Sequence, residues 1–123
     1  MKILICGSRE ASPRLLSIAH DFVALYRQHE FLCGDADGVD AAVIAACDAL
    51  GVTLSVYGAN HTLRHKTITG RNIALGGTYR MRDAWMVAQG PDVVIGLWNG
   101  SSPGTLATVK HAKRQGIESY LVR

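Results

Sequence analysis

Apolar residues return along this chain in two rhythms, short unbroken runs and longer stretches with one apolar position every three or four residues. The runs read as buried strands and the stretches as amphipathic helices. Lys2–Cys6, Phe31–Cys33, Val52–Tyr57, Asp92–Trp98 and Ser119–Val122 are the predicted strands. Ser12-Pro13 starts the first helix, with serine as cap and proline at the first helical position. Leu15, Leu16, Ile18, Ala19, Phe22, Val23, Leu25 and Tyr26 then carry that helix to about His29. A second helix runs from Gly38 through Ala41, Ala42, Ile44, Ala45 and Leu50 and stops at Gly51, a residue suited to a left-handed helix end. A third fits Tyr79–Ala88, before Gly90-Pro91, and the last starts near Gly104 and ends before Gly116. Between Gly58 and Gly77 there is no clean period, and the glycines there predict the most mobile segment of the chain. Strands alternating with helices imply right-handed crossovers and parallel pairing. The expected fold is a single α/β domain over residues 1–123, a Rossmann-like three-layer sandwich around a five-stranded parallel sheet.

A chain of 123 residues, 48% hydrophobic and 19% charged, suffices for one core that buries roughly two-thirds of the unfolded surface. No apolar stretch approaches the ~20 residues of a membrane span, and the N-terminus reads as a strand, not a signal peptide. Cys6, Cys33 and Cys47 are odd in number, sit among apolar residues and form no C-x-x-C pair. They read as buried thiols of a cytoplasmic protein, with no metal and no cofactor called for. The net charge is +3, but its placement is uneven. Between Ala59 and Arg82 lie Arg64, Lys66, Arg71, Arg80 and Arg82, with His61 and His65 and no acid, so the rest of the chain is net negative. That stretch is either a solvated basic loop or the counter-charge for a small anionic ligand. It is too short and too poor in interleaved aromatics for a nucleic-acid groove, which disfavours DNA.

Three of the predicted strands break into glycine-bearing loops, and parallel pairing would bring all three to one edge of the sheet, where open α/β folds bind ligands. Ser101-Ser102-Pro103-Gly104-Thr105 joins a strand to a helix N-terminus. It is a simple cap and tight turn, or an anion site in which free amides and the Ser102 and Thr105 hydroxyls meet a phosphate while Gly104 permits close approach. Gly7-Ser8-Arg9 has the same duality: a steric turn, or a backbone and a planar cation laid against phosphate. Gly34 and Gly38 suit a tight turn, but Asp35, Asp37 and Asp40 would repel phosphate. They cap the following helix, accept from ribose hydroxyls, or hold a metal. Arg80 and Asp83 are neighbours on a helix and could pair; Arg82, four residues before Met86, is placed on the inward face. Trp98 is either a rim tryptophan or a stacking surface for a base. No histidine has a serine or cysteine partner at a recognisable spacing.

Taken together, Gly7-Ser8-Arg9, Gly34-x-x-x-Gly38-x-Asp40, Arg80-x-Arg82-Asp83-x-x-Met86, Gly90-Pro91-Asp92-Val93-Val94 and Ser102-Pro103-Gly104-Thr105 resemble, in that order, the SLOG superfamily. It groups the DNA-processing protein DprA with the Lonely Guy phosphoribohydrolases. The likeness is nearest to small stand-alone YspA-like members and covers nearly the whole chain. It implies a Rossmann-like sheet that binds nucleotides or their derivatives, some members removing a base from a nucleotide and others sensing nucleotide signals. Two departures stand out. Lonely Guy enzymes carry P-G-G-x-G-T-x-x-E, whose glutamate is central to N-glycosidic cleavage, and Thr108 stands in its place here. The small members have Gly-Gly at the second loop, whereas this chain has Gly34-Asp35 with Asp37 two residues on.

These readings lead to the expectation of a module that binds or senses a nucleoside monophosphate or an ADP-ribose-like ligand. Phosphate would sit over Gly104-Thr105 and Gly7-Ser8, with Arg9 and Arg82 neutralising it and Asp40 or Asp37 addressing ribose. The alternative is a nucleotide N-glycosidase in which Asp35, Asp37, Asp40 or Asp83 replaces the missing glutamate. The resemblance, with the alanine-rich helix Val39–Leu50, also implies a homodimer.

Overall fold

The computed structural model describes all residues 1–123. Consecutive strands pair or lie parallel because each connection, a helix in every case but one, returns the chain to the same end of the sheet. The elements are β1 (Lys2–Gly7), α1 (Pro13–Leu25), β2 (Glu30–Gly34), α2 (Val39–Leu50) and β3 (Leu54–Gly58), then β4 (Arg71–Ala74), α3 (Tyr79–Ala88), β5 (Val93–Leu97), α4 (Pro103–Arg114) and β6 (Glu118–Val122). The strand order is β4-β3-β2-β1-β5-β6, parallel throughout. Alternation along β1 divides the core in two. Ile3 and Ile5 face α1 and α2, packing with Leu15, Ala19, Val39 and Val43, while Leu4 and Cys6 face α3 and α4, packing with Met86, Val87, Val109 and Ala112. The three layers follow from that period of two.

The sheet has six strands where five were expected. The sixth, β4, lies inside the aperiodic stretch and pairs with β3 from Ser55↔Arg71 to Gly58↔Ala74. Only Ile73 is partly covered while Arg71, Asn72 and Ala74 are exposed, so an edge strand left no apolar signature. The segment expected to be most mobile is instead pinned. Asn60 donates to the Gly77 carbonyl and His61 to that of Leu75, both at 2.9 Å. The Asp48 carboxylate accepts the Ile68 amide at 2.9 Å and the Thr69 hydroxyl at 3.0 Å, and also the Thr67 hydroxyl. α1 ends at Leu25, before the predicted His29, and a turn carries the chain into β2.

Helix termini follow their residues. Ser12 caps α1 by accepting the Leu15 amide at 3.2 Å, Thr78 caps α3 by accepting that of Met81, and Gly51 ends α2 in the left-handed region. The alanine-rich α2 packs against α1 and the sheet and supplies much of the first core. The large exposed apolar side chains of the helices on the other face are Tyr79, Met81 and Trp85 on α3. No helix is long and apolar enough to cross a membrane. The chain order reverses beside β1, with β2, β3 and β4 on one side and β5 and β6 on the other. The crevice beyond the ends of β1 and β5 is therefore the topological switch point of the sheet.

Candidate functional site

A cavity of about 310 Å³ lies at that switch point. β1 leads into it with Gly7 and Arg9, and the β2 loop with Gly34, Ala36 and Asp40. α3 contributes Tyr79, Arg82, Asp83 and Met86, and α4 contributes Ser102, Pro103, Gly104, Thr105 and Thr108. The three glycine-bearing loops thus meet on one edge.

The start of α4 forms a donor surface on this cavity. Ser102 occupies the cap position but its side chain caps nothing; its hydroxyl lies 3.3 Å from that of Thr105. Its carbonyl accepts the Trp98 indole N–H at 2.9 Å, and its amide donates to Asn99 Oδ1 at 2.9 Å. The amides of Gly104 and Thr105 meet no acceptor in the protein. Two N–H groups and the positive end of the helix dipole therefore open into the cavity. A methyl group built on Gly104 would meet no protein atom within 4 Å, so packing inside the protein does not require glycine there. Arg9, exposed at the rim, makes no ion pair.

Opposite that donor surface lies a buried charge network built around Arg82. Its Nε donates to Asp83 Oδ1 at 2.8 Å, and its Nη1 to Asp35 Oδ1 at 2.9 Å and to the Tyr57 carbonyl at 3.0 Å. Gly34 is glycine because the network crosses it: a Cβ there would lie 2.6 Å from Arg82 Nη1 and 2.7 Å from Asp40 Oδ2. Arg82 is inward-facing as expected, with Met86 buried four residues on and Arg80 exposed. Two of its three nitrogens are nevertheless committed to protein acceptors, leaving Nη2.

The four candidate carboxylates separate by environment. Asp35 is fully buried away from the cavity wall, where it accepts Arg64 Nη2 and the Arg64 amide, both at 2.8 Å. Burial pulls its pKa up, but the Arg64 hydrogen bonds and the charges of Arg64 and Arg82 outweigh this and hold it below the usual carboxylate range. Asp37 is exposed, 2.6 Å from His65 Nε2, at the outer rim. Neither caps α2. The cap position is Gly38, which bears no side chain, and a Cβ on it would strike the Ser8 and Arg9 carbonyls. Asp40 and Asp83 do line the cavity. Asp40 Oδ2 accepts the Ala36 amide at 3.1 Å, while Oδ1 is buried with no partner. Burial, against the pull of Arg82, pushes the Asp40 pKa up to about 7. Burial likewise raises that of Asp83, in spite of the Arg82 charge beside it. Cys6 also lines the cavity, but burial raises its pKa and keeps it a thiol.

Two predicted ligand contacts lie outside the cavity lining and are engaged within the protein. Ser8 is fully buried, its hydroxyl accepting the Asn99 amide at 3.0 Å and its carbonyl the Val39 amide at 3.2 Å. Trp98 lies outside the cavity lining, its indole committed to Ser102 and the Arg123 guanidinium 5.7 Å from its ring. Gly38, as the α2 cap, is also outside. The residues that sequence reasoning missed are Arg64 and Tyr79. Arg64 stacks 4.2 Å above the Tyr79 ring while gripping Asp35. The signal was present in the basic stretch without acids: Arg64, His65 and Arg82 meet the acids of the β2 loop and of α3, so part of that charge is neutralised internally.

The sequence matches no family model, and no curated protein matches it. Among solved structures, that of TM1055, a target of the Northeast Structural Genomics Consortium, superposes with a TM-score of 0.79 at 20% identity, covering 96% of this chain and 71% of the other. At that identity the likeness is one of fold: a Rossmann-like α/β sandwich shared over nearly the full chain.

Proposed function

We propose that this domain binds a nucleotide or a nucleotide-derived ligand at the switch point. The observation that carries the reading is the start of α4, where two unpaired amides open beside the unpaired Arg9 into a cavity whose inner wall holds the orphaned Asp40 Oδ1. Helix amides and a guanidinium suit a phosphate. The SLOG-like order of motifs supports the same assignment. The test is calorimetry with the four nucleoside 5′-monophosphates and ADP-ribose. Wild type should bind at least one of them, and Arg9→Ala should weaken that binding about tenfold, roughly 1.4 kcal/mol. Wild type that binds none of the five removes the proposal.

A second reading, N-glycosidic hydrolysis, is favoured by one observation: two cavity carboxyl groups have raised pKa values, the arrangement that supplies a proton donor near neutrality. Asp40 would protonate the departing base, Asp83, steadied by Arg82, would face the developing positive charge on the sugar, and a water would add at the anomeric carbon and return its proton to Asp40. Losing such a group typically lowers rates by ~10²–10³. Steady release of free base that disappears in Asp40→Asn and Asp83→Asn selects this reading. Nucleotide retained intact selects binding alone.

A further inference from the structure

A second polar site lies at the opposite edge of the sheet from the cavity. α3 roofs the face that carries Leu4 and Leu32 but ends at Ala88. Beyond it the amino ends of β2, β3 and β4 enclose a trough of about 530 Å³. Strand register sets the floor. Leu32 lies opposite Ser55, and Ser55 opposite Arg71, so the three stand abreast across neighbouring strands. Adjacent strands are ~5 Å apart, which leaves Leu32 and Arg71 about 10 Å apart at the backbone. Glu30, two residues before Leu32, and Tyr57, two after Ser55, share that face. Gln89 forms the α3 wall, where its carbonyl accepts the Lys2 ammonium at 3.1 Å.

Two hydroxyl groups are built into this trough. Ser55 is 6% exposed and Tyr57 4%. The Tyr57 phenol lies against the Ser55 hydroxyl and the Arg71 guanidinium. No carbonyl or carboxylate accepts from either hydroxyl, and neither oxygen is sealed as Asp40 Oδ1 is, so both open into the trough. Burial raises the Tyr57 pKa, the Arg71 charge opposes that rise and the Glu30 charge adds to it, so both charged groups lie within reach of one phenol. Yet Arg71 and Glu30 form no ion pair with each other or with any neighbour. A cation and an anion thus flank two donors without neutralising one another. A guanidinium beside two O–H donors fits a carboxylate. A multiply charged phosphate would meet the Glu30 carboxylate, whereas an ammonium would be held by it. We propose that this trough binds a free α-amino acid, its carboxylate on Arg71, Ser55 and Tyr57 and its ammonium on Glu30. The site is independent of the nucleotide reading, since none of its lining residues lines the switch-point cavity.

The test is titration with each of the twenty common L-amino acids, followed by two-dimensional NMR. At least one should bind with a dissociation constant below about 1 mM and shift the amides of Ser55 and Arg71. For the tightest of them, the corresponding amine and the corresponding carboxylic acid without its amino group should each bind at least tenfold more weakly. That comparison uses wild type alone and stands even where a variant does not fold. Arg71→Gln, Tyr57→Phe and Glu30→Gln should each weaken binding about tenfold or more, the loss expected for one hydrogen bond to a charged group. Lys113→Gln, an exposed cation outside the trough, should leave affinity unchanged. No binding by any of the twenty overturns the proposal, as do shifts confined to the switch-point cavity. Equal binding by the carboxylic acid, or by Tyr57→Phe, overturns it too.

Discussion

Asp40 sits one turn into α2, its carboxyl folded back onto the Ala36 amide and its second oxygen sealed in the wall of the cavity. A carboxylate in that place is poorly solvated, so the folded protein holds the proton up to about pH 7, against an ordinary value of 3.8. The native state therefore binds this proton more tightly than the unfolded chain. Below about pH 4 both states are protonated and ionisation costs nothing. Between about 4 and 7 the unfolded chain alone releases the proton, and stability falls as pH rises. At 1.36 kcal/mol per unit the full loss is about 4 kcal/mol above pH 7. Asp40→Asn, which keeps the shape and removes the charge, should be more stable than wild type at pH 8 by up to that amount and by only about 1 kcal/mol at pH 4.5. Urea unfolding at the two pH values measures the difference. A gap that does not depend on pH would show that Asp40 ionises without penalty. The neighbouring Asp35 works in the opposite sense. Its depressed pKa adds stability that is present above pH 4 and lost as pH falls through its folded value.

At the scale of elements, legibility tracked burial. β1, β2 and β5 are covered on both faces and were readable as apolar runs, and β3, equally buried, was readable from its β-branched and aromatic composition. α3 was read at its observed boundaries, between the Thr78 cap and the turn at Gly90. β4 was not legible, because three of its four residues face solvent and its register is set by β3 and by contacts distant in sequence. The same distance hid the charge network: Asp35 and Arg64 are 29 positions apart, and Asp35 and Arg82 47. Loop residues could be assigned to an edge by strand order, but whether a hydroxyl such as that of Ser8 faces a ligand or a neighbouring loop depends on packing that spacing does not encode. The Asp48 latch is the element-scale counterpart. Its carboxylate gathers four donors from residues 67–69 and fastens the approach to β4 onto α2. Those hydrogen bonds hold its pKa below the usual range despite burial, so the latch is fully made above pH 4 and opens as pH falls below that. Asp48→Ala should lower stability by about 1–3 kcal/mol. In hydrogen exchange the Ile68 and Thr69 amides should lose protection while those of β1 change only with the global loss. Unchanged exchange at Ile68 and Thr69 would show that the segment is held by other means.

For the molecule as a whole, the parallel sheet fixes the position of the crevice before any loop residue is chosen, and the chain then leaves one part of the crevice structurally incomplete. α1 and α3 have side-chain caps and α2 begins at Gly38, which has no side chain; α4 has a serine at its cap, but the Ser102 hydroxyl lies against Thr105 and its carbonyl is held by Trp98. An anion that completes the helix would act as its missing cap, so ligand affinity and intrinsic stability compete for the same two amides. A carboxylate supplied by the chain itself would decide that competition. Ser102→Asp should raise the melting temperature of the unliganded protein by about 2–5 °C, as expected for 0.5–1 kcal/mol at a helix N-terminus, and should weaken nucleoside monophosphate binding at least tenfold by calorimetry. Binding that survives the added charge would place the phosphate elsewhere. The consequence reaches past this one variant: on the binding proposal, a mutation that heats well and a mutation that empties the site would be one and the same, and a screen for thermal robustness alone would select against the ligand.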